Sequence, residues 1–457
     1  MRSLCLQNFI FMLEFIYSQN YITKRENMIN LKDYLRGNEV FYTEAFQKAI
    51  DDASASKQTL FIPVGEYLLG TVELKSNVSI VFEDGAKLIG SKNLEDFYED
   101  KLMFEPCYQD LSHSSYTKSL FYGTNIENVS LKGRAVIDMQ SAWAPKESKR
   151  TGHRGAKAIS ITYGENLRFE DFEILNATDI ALLLGACKQV FIRGLYIKSH
   201  IDGISPDGCE DVIISDCNLF CGDDALVFKT SLFDGQVHHL KRVTVSNCII
   251  SSRCNAIKFG TESTGDMKYI TISNCVVHHA QATGISIESV DGANLEAINI
   301  SDIMMENVTC PLFIALGRRM RAPEGTPIGS IKNVTISNVY ADNSDEVYKS
   351  IDFYYIYIKE GSEYEQNGCI ASSIVNLTDN PLENVTLNNV HFKVMGDKKL
   401  EDVDYKENPT GYPTHWMNGF VLPAYGMLVK GVKNLKLNDV TFETIKPDER
   451  PALEVID

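Results

Sequence analysis

The chain has 457 residues, 44% hydrophobic and 23% charged, an ordinary soluble globular composition long enough to bury a large core. Its 61 acidic residues outweigh 44 basic ones for a net charge of -17, and no concentrated basic face is visible. That excludes the usual footprint of a nucleic-acid partner. No stretch approaches the roughly 20 apolar residues of a membrane span.

Residues 1–27 contain an apolar run, Phe9 to Tyr17, interrupted by Glu14 and lacking a small-residue cleavage site. This segment reads as a leader, flexible or misassigned, with a degenerate signal peptide as the alternative, and the functional unit is expected to be a single domain over 28–457. Tyr42 to Ala53 places Ala45, Phe46, Ala49 and Ile50 on one helical face with Thr43 as N-cap, so a short helix is expected to cover the open end of the repeats C-terminal to it.

From Val78 onward one β-branched phrase returns, as NVSI, NVSL, NLRF, QVFI, DVII, RVTV, YITI, AINI, NVTI, NVTL and NLKL. Its apolar residues alternate, the mark of strands with one face buried. The phrases recur at steps of 22 to 31 residues in the middle of the chain and up to 51 elsewhere. Each short step fits one coil of a parallel β-helix, and longer steps hold looped-out insertions that build groove walls. The fold class is therefore all-β.

Eleven cysteines occur without CxxC pairs. Cys217, Cys248 and Cys275 end the same repeated phrase and read as small buried hydrophobes stacked on one another. Free thiols in that number favour a cytoplasmic location over a secreted one, secretion being the alternative if the leader acts as a signal.

Registering the coils by Ile204, Leu226, Ile257 and Ile285 puts Asp202, Asp224, Asn255 and Thr283 in one column, with Asp223 beside Asp224 at the corner. Coils are spaced about 4.8 Å, so the three aspartates crowd one another. Like charges that close keep one member protonated. A protonated acid beside ionised partners suits glycosidic cleavage, one group protonating the leaving oxygen while another activates water. A calcium site is a rival use of such a cluster and would call for an arginine as base, Arg253 being nearest in sequence. A lone Asp at a corner more often only bonds turn backbone.

IDGISPDGCEDVIISDC followed by CGDDALVFKT resembles glycoside hydrolase family 28, the polygalacturonases and their relatives. AFQKAIDDA, IPVGEYLLGTVELKSNVSIVFEDGAKLIGS and LPAYGMLVKGVKNLKLNDV extend the resemblance, to bacterial members, over nearly everything from Met28 on. It implies a right-handed parallel β-helix, with Asp223 as general acid and Asp202 and Asp224 holding and deprotonating water in an inverting mechanism. It implies no metal or organic cofactor. Carboxyl groups of an inverting pair are expected about 6.5 to 9.5 Å apart.

Where that family carries Gly-His-Gly this chain has Cys254-Asn255-Ala256, and where it carries Arg-Ile-Lys this chain has Ser286-Ile287-Glu288. The absent arginine and lysine are the family's grip on a uronate carboxylate, and Glu288 repels one. Asn255, Ser286 and Glu288 are candidate substrate-binding residues, with Lys258, expected to point outward, and His200. Lys258 is equally a solvated strand lysine. Arg318, Arg319 and Arg321 form a basic cluster after Ile314, read as a surface loop in preference to a groove wall. Trp416 is the preferred sugar-stacking aromatic, ahead of Trp143, Tyr163 and Tyr425. His153 lies near the presumed groove, and the pairs His238-His239 and His278-His279 match no metal spacing.

The reading is a hydrolase acting on a pectin-related plant oligosaccharide, at a neutral sugar or at a uronate held in another way. A polysaccharide lyase on the same fold and a non-catalytic carbohydrate-binding β-helix are the alternatives. The expected partner is an oligosaccharide, with no nucleic acid and no membrane.

Overall fold

The computed structural model describes residues 28–98, 118–142, 155–342 and 370–456. Every strand pairing is parallel, in one sheet of twenty strands and one of twelve. In the twelve-stranded sheet Leu182, Ile204, Leu226, Ile257, Ile285 and Leu312 sit side by side on successive coils. The β-branched phrases stack likewise in the larger sheet, where Val212, Val243, Ile270, Ile298, Val334 and Val385 form one buried column. This is a parallel β-helix, whose crossovers take the right-handed sense that parallel strands adopt almost without exception.

Corners between strands need left-handed backbone, which Asn tolerates better than most residues. Asn128, Asn166, Asn247, Asn274, Asn338 and Asn389 all adopt it. Their amides then bond from coil to coil, as in Asn274 Nδ2 to Asn247 Oδ1 at 2.7 Å and Asn389 Nδ2 to Asn338 Oδ1 at 2.9 Å. Inside, aromatic and aliphatic side chains stack in the same way, Phe228 on Phe259 with centroids 4.9 Å apart. Cys217, Cys248 and Cys275 are buried free thiols stacked on successive coils, and each donates to the carbonyl two residues before it.

The expected helix runs Thr43–Ser56 and buries Phe46, Ala49, Ile50 and Ala53. Thr43 is its first residue and not its N-cap, a position held by Tyr42 with no side-chain bond. The Thr43 hydroxyl instead accepts from Gly70 N at 2.8 Å, tying the helix to the coil it covers. Residues 1–27 lie outside the described residues. No helix among the described residues is long and apolar enough to cross a membrane.

The two sheets differ in what they show outward. Strands of the large sheet alternate buried and exposed residues, whereas Ile257–Ser263, Thr283–Ser289 and Cys310–Leu316 of the smaller sheet are buried along their whole length. Part of that outer face lies under the irregular segment 403–425, which packs Met417 and Leu422 with Phe313, Val375 and Leu428 as a second apolar cluster. Beside this cluster the covered face carries charge, and the site is there.

Candidate active site

Asp202 and Asp224 occupy equivalent positions on adjacent coils, fixed by Gly203 N donating to Asp224 O at 3.0 Å. The coils can approach so closely because Gly203 and Gly222 have no Cβ: one on Gly222 would sit 2.1 Å from His200 O. The column continues as Asn255 and Thr283, and here the side chains bond to one another. Thr283 Oγ1 donates to Asn255 Oδ1 at 2.6 Å, and Asn255 Nδ2 donates to Asp224 Oδ1 at 2.6 Å. The second carboxylate oxygen of Asp224 lies 3.5 Å from Lys258 Nζ.

Asp202 has its own lysine, Lys229, at 3.6 Å, and the same ammonium is 3.1 Å from Glu262. Burial pushes Lys229 down, yet Glu262, Asp202 and Asp224 together raise it well above its ordinary value. Lys258 behaves alike, with Asp224, Glu288 and Tyr412 outweighing burial. Both lysines are thus held charged at neutral pH, and each sets a positive charge beside one aspartate. Asp202 and Asp224 are buried at 3% and 6% exposure, whereas Asp223 is the more open of the three.

Asp223, Asp224 and Cys254 offer ligand atoms within 4.8 Å of one another. The donor set fits a metal poorly: Asp224 already accepts the Asn255 amide on one oxygen, and the Lys258 ammonium neutralises the other. The same figure puts the Asp223 and Asp224 oxygens nearer than the spacing expected of an inverting acid and base.

Ser286 and Glu288 sit on the next coil, Ser286 beside Lys258 in register, and Ser286 Oγ donates to Glu288 Oε1 at 2.5 Å. Burial pushes the Glu288 carboxyl up to about 7, while Lys258 and Ser286 pull it down and Asp224 pushes it further up. His200 lies at the other side of the aspartates with Nε2 2.9 Å from Ser141 Oγ, and burial, then Lys198, lowers its pKa.

Trp416 stacks on Phe420, centroids 5.7 Å apart, and packs against the second apolar cluster. The aromatic ring set against the charged groups is instead Tyr412, whose centroid is 5.8 Å from Lys258 Nζ and 5.6 Å from Arg319 Cζ. Tyr412 is 46% exposed as a whole residue, while burial of its hydroxyl end raises that group's pKa. Tyr163 bonds Asp234, and Tyr425 donates to Phe442 O at 3.4 Å, so both serve the scaffold. Trp143 and His153 lie outside the described residues.

The basic cluster divides. Arg318 and Arg321 are exposed, but Arg319 turns inward, donates to both oxygens of buried Asp291, and reaches Thr261 O at 3.1 Å. That corrects the reading of the whole cluster as a solvated loop, because Asp291 supplies a buried counter-charge. Lys229, Glu262, Asp291 and Tyr412 are site residues that the motifs did not reveal.

His238 pairs with Asp234 at 3.0 Å and stacks on Phe233, and His278 and His279 face each other at 2.9 Å. Neither pair joins the aspartates.

The family described as glycosyl hydrolases family 28 matches residues 53–362, more than half of the chain. A probable polygalacturonase of Vitis vinifera is 24% identical over 289 residues, 59% of this chain and 58% of its own length. The chain thus spans a little over half of that relative. Among solved structures, the family 28 exopolygalacturonase of Yersinia enterocolitica superposes with a TM-score of 0.66 at 17% identity, covering 94% of this chain and 77% of the other. A hyperthermoactive exopolygalacturonase of Thermotoga maritima gives 0.63 at 18%, covering 90% and 91%. With the three aspartates on adjacent coils of the matched region, the chain belongs to glycoside hydrolase family 28.

Proposed function

We propose that the protein hydrolyses an O-glycosidic bond in a pectin-related oligosaccharide. Asp223 protonates the leaving oxygen, and Asp202 and Asp224 hold and deprotonate the attacking water. The observation that carries this is the pairing of each buried aspartate with its own lysine, Asp202 with Lys229 and Asp224 with Lys258. A cation beside each of these two matches the water-holding part, and the third and more open carboxyl stands at the place a leaving group would reach.

Inversion follows from the state of Asp224. Both of its oxygens are engaged, one by Asn255 and one by Lys258, which favours holding a water over forming a covalent bond to the sugar. The short approach of Asp223 to Asp224 makes the stereochemical outcome a real test, since about 5 Å is the spacing of retaining pairs. Proton NMR of the first product anomer decides it: the inverted anomer supports the assignment, and the retained anomer overturns it.

The reaction itself is tested with Asp223→Asn on pectic oligosaccharides. Turnover should fall by about 100- to 10,000-fold, the usual contribution of a positioned acid. Unchanged turnover, or an unsaturated product absorbing in the ultraviolet and lost with chelator, would reject hydrolysis. That the relatives are polygalacturonases supports the pectic class.

A further inference from the structure

Two lysines face the aspartates and Arg319 stands beside them across Tyr412, and each of these cations already has carboxylate partners. Lys229 stands between Asp202 and Glu262. Lys258 lies against Asp224 and within the field of Glu288. Arg319 is closed on Asp291 through two nitrogens. Asp202, Glu262, Asp224, Glu288 and Asp291 thus stand beside these three cations, so a substrate carboxylate placed beside Lys258 would add a sixth, next to cations that already face carboxylates.

Two buried atoms here have no hydrogen-bond partner among the described residues: Glu288 Oε2 and Arg319 Nη1. The two side chains approach adjacent residues of the strand Ile257–Ser263. A Cβ on Gly260 would lie 3.4 Å from Glu288 Oε2, and Arg319 Nη2 donates to the carbonyl of Thr261. Above pH 7, where Glu288 is ionised, it only accepts, and Arg319 only donates. A sugar hydroxyl does both and can answer either atom. A carboxylate has no proton to give, so it answers Arg319 alone and opposes Glu288.

We propose that Glu288 sets the substrate class of this site: the sugar seated beside Lys258 carries hydroxyls and no carboxylate, and Glu288 with Arg319 reads those hydroxyls. The placement of that sugar next to the cleaved bond rests on the hydrolase reading above. The role of Glu288 is specificity-determining, exerted by its own acceptor and by its hold on Lys258.

The test uses oligogalacturonides and their carboxyl-reduced counterparts, identical in length and linkage and differing only in the acid group. Hydrolysis is followed with the full chain at pH 8, where Glu288 is ionised, and binding is followed at the same pH by calorimetry with Asp223→Asn. The wild type should prefer the reduced series at least tenfold in kcat/KM, the Asp223→Asn protein should bind it more tightly, and Glu288→Gln should bring the ratio close to one. Melting curves establish that Glu288→Gln is folded; if it is not, Ser286→Ala, which removes the donor that fixes Glu288 in place and favours its ionised form, should move the ratio in the same direction.

Preference for the acid series, equal use of both, or a reduced-series preference that neither variant changes overturns the proposal, as does absence of binding to either. If the reduced series binds preferentially but nothing is cleaved, the hydrolase reading fails while the assignment of Glu288 stands.

Discussion

Asp224 is held by two groups from the next coil, the Asn255 amide and the Lys258 ammonium, and the amide is itself fixed by Thr283. An amide that must accept from a hydroxyl on one side can only donate on the other, so Thr283 sets which way Asn255 faces. Replacing Asn255 by Leu removes the amide that orients one Asp224 oxygen and leaves the Lys258 ion pair, and misplacement of a catalytic group by about 1 Å can cost about 100-fold. We therefore expect kcat to fall by up to about 100-fold with KM little changed, measured by steady-state kinetics, while Asn255→Asp, which cannot donate, behaves no better. Glu288 gives a second expectation at this scale. Burial raises its carboxyl from 4.5 to about 7 against the pull of Lys258, Ser286 and Arg319, with Asp224 adding to the rise. The folded chain keeps this proton where the unfolded chain has lost it. The stability it contributes is full below pH 4.5 and is lost as pH rises through about 7. Denaturant titrations at pH 5 and 8 should show the wild type losing on the order of 3 kcal/mol that Glu288→Gln does not lose. Equal losses in both proteins would show that Glu288 does not titrate in this range.

At the level of elements, the column of Asp202, Asp224, Asn255 and Thr283 was readable from the spacing of Ile204, Leu226, Ile257 and Ile285, because those residues alternate regularly and the register followed. Lys258 followed too, lying between two inward residues. Lys229 and Glu262 did not. Between Phe228 and Thr230 the pairing shifts, so that Thr230 meets Ser263 and not Thr261, and two-residue alternation no longer tells which side chains face each other. Tyr412 and Arg319 were out of reach for another reason. They stand on irregular segments whose path depends on packing over the sheet, and no periodicity reports it. The aromatic chosen from its neighbourhood, Trp416, is drawn into the apolar cluster around Phe420. The same register makes a prediction for Gly222. Its missing Cβ lets the corner that carries Asp223 pass over His200, and Gly222→Ala would place a carbon 2.1 Å from a backbone oxygen. Either the corner or His200 must move, so activity should drop with the melting temperature. Retained activity with only a lower melting temperature would show that the corner is not what positions Asp223.

Across the whole molecule, coils touch only their neighbours, so stability is built from local interfaces and can be lost locally. The helix Thr43–Ser56 closes one end, burying Phe46, Ala49, Ile50 and Ala53 and bonding the first coils through Gln47 Nε2 to Glu73 O at 3.0 Å and Ser54 Oγ to Ser76 O at 2.7 Å. The aspartates lie several coils further on, at the corners that lead into Ile204–Asp207 and Leu226–Thr230. Removing a fully buried phenylalanine costs about 3 to 5 kcal/mol. With Phe46→Ala that cost should fall on the coils next to the helix, where Thr59–Ile62 and Ser79–Phe82 pair. Hydrogen exchange is therefore expected to quicken in those strands while Leu226–Thr230 and Ile257–Ser263 keep their protection, and turnover at moderate temperature should stay as it was. Protection lost evenly from the first coil to the aspartates would mean that the coils open as one cooperative unit, and Phe46→Ala would then lower activity and stability together.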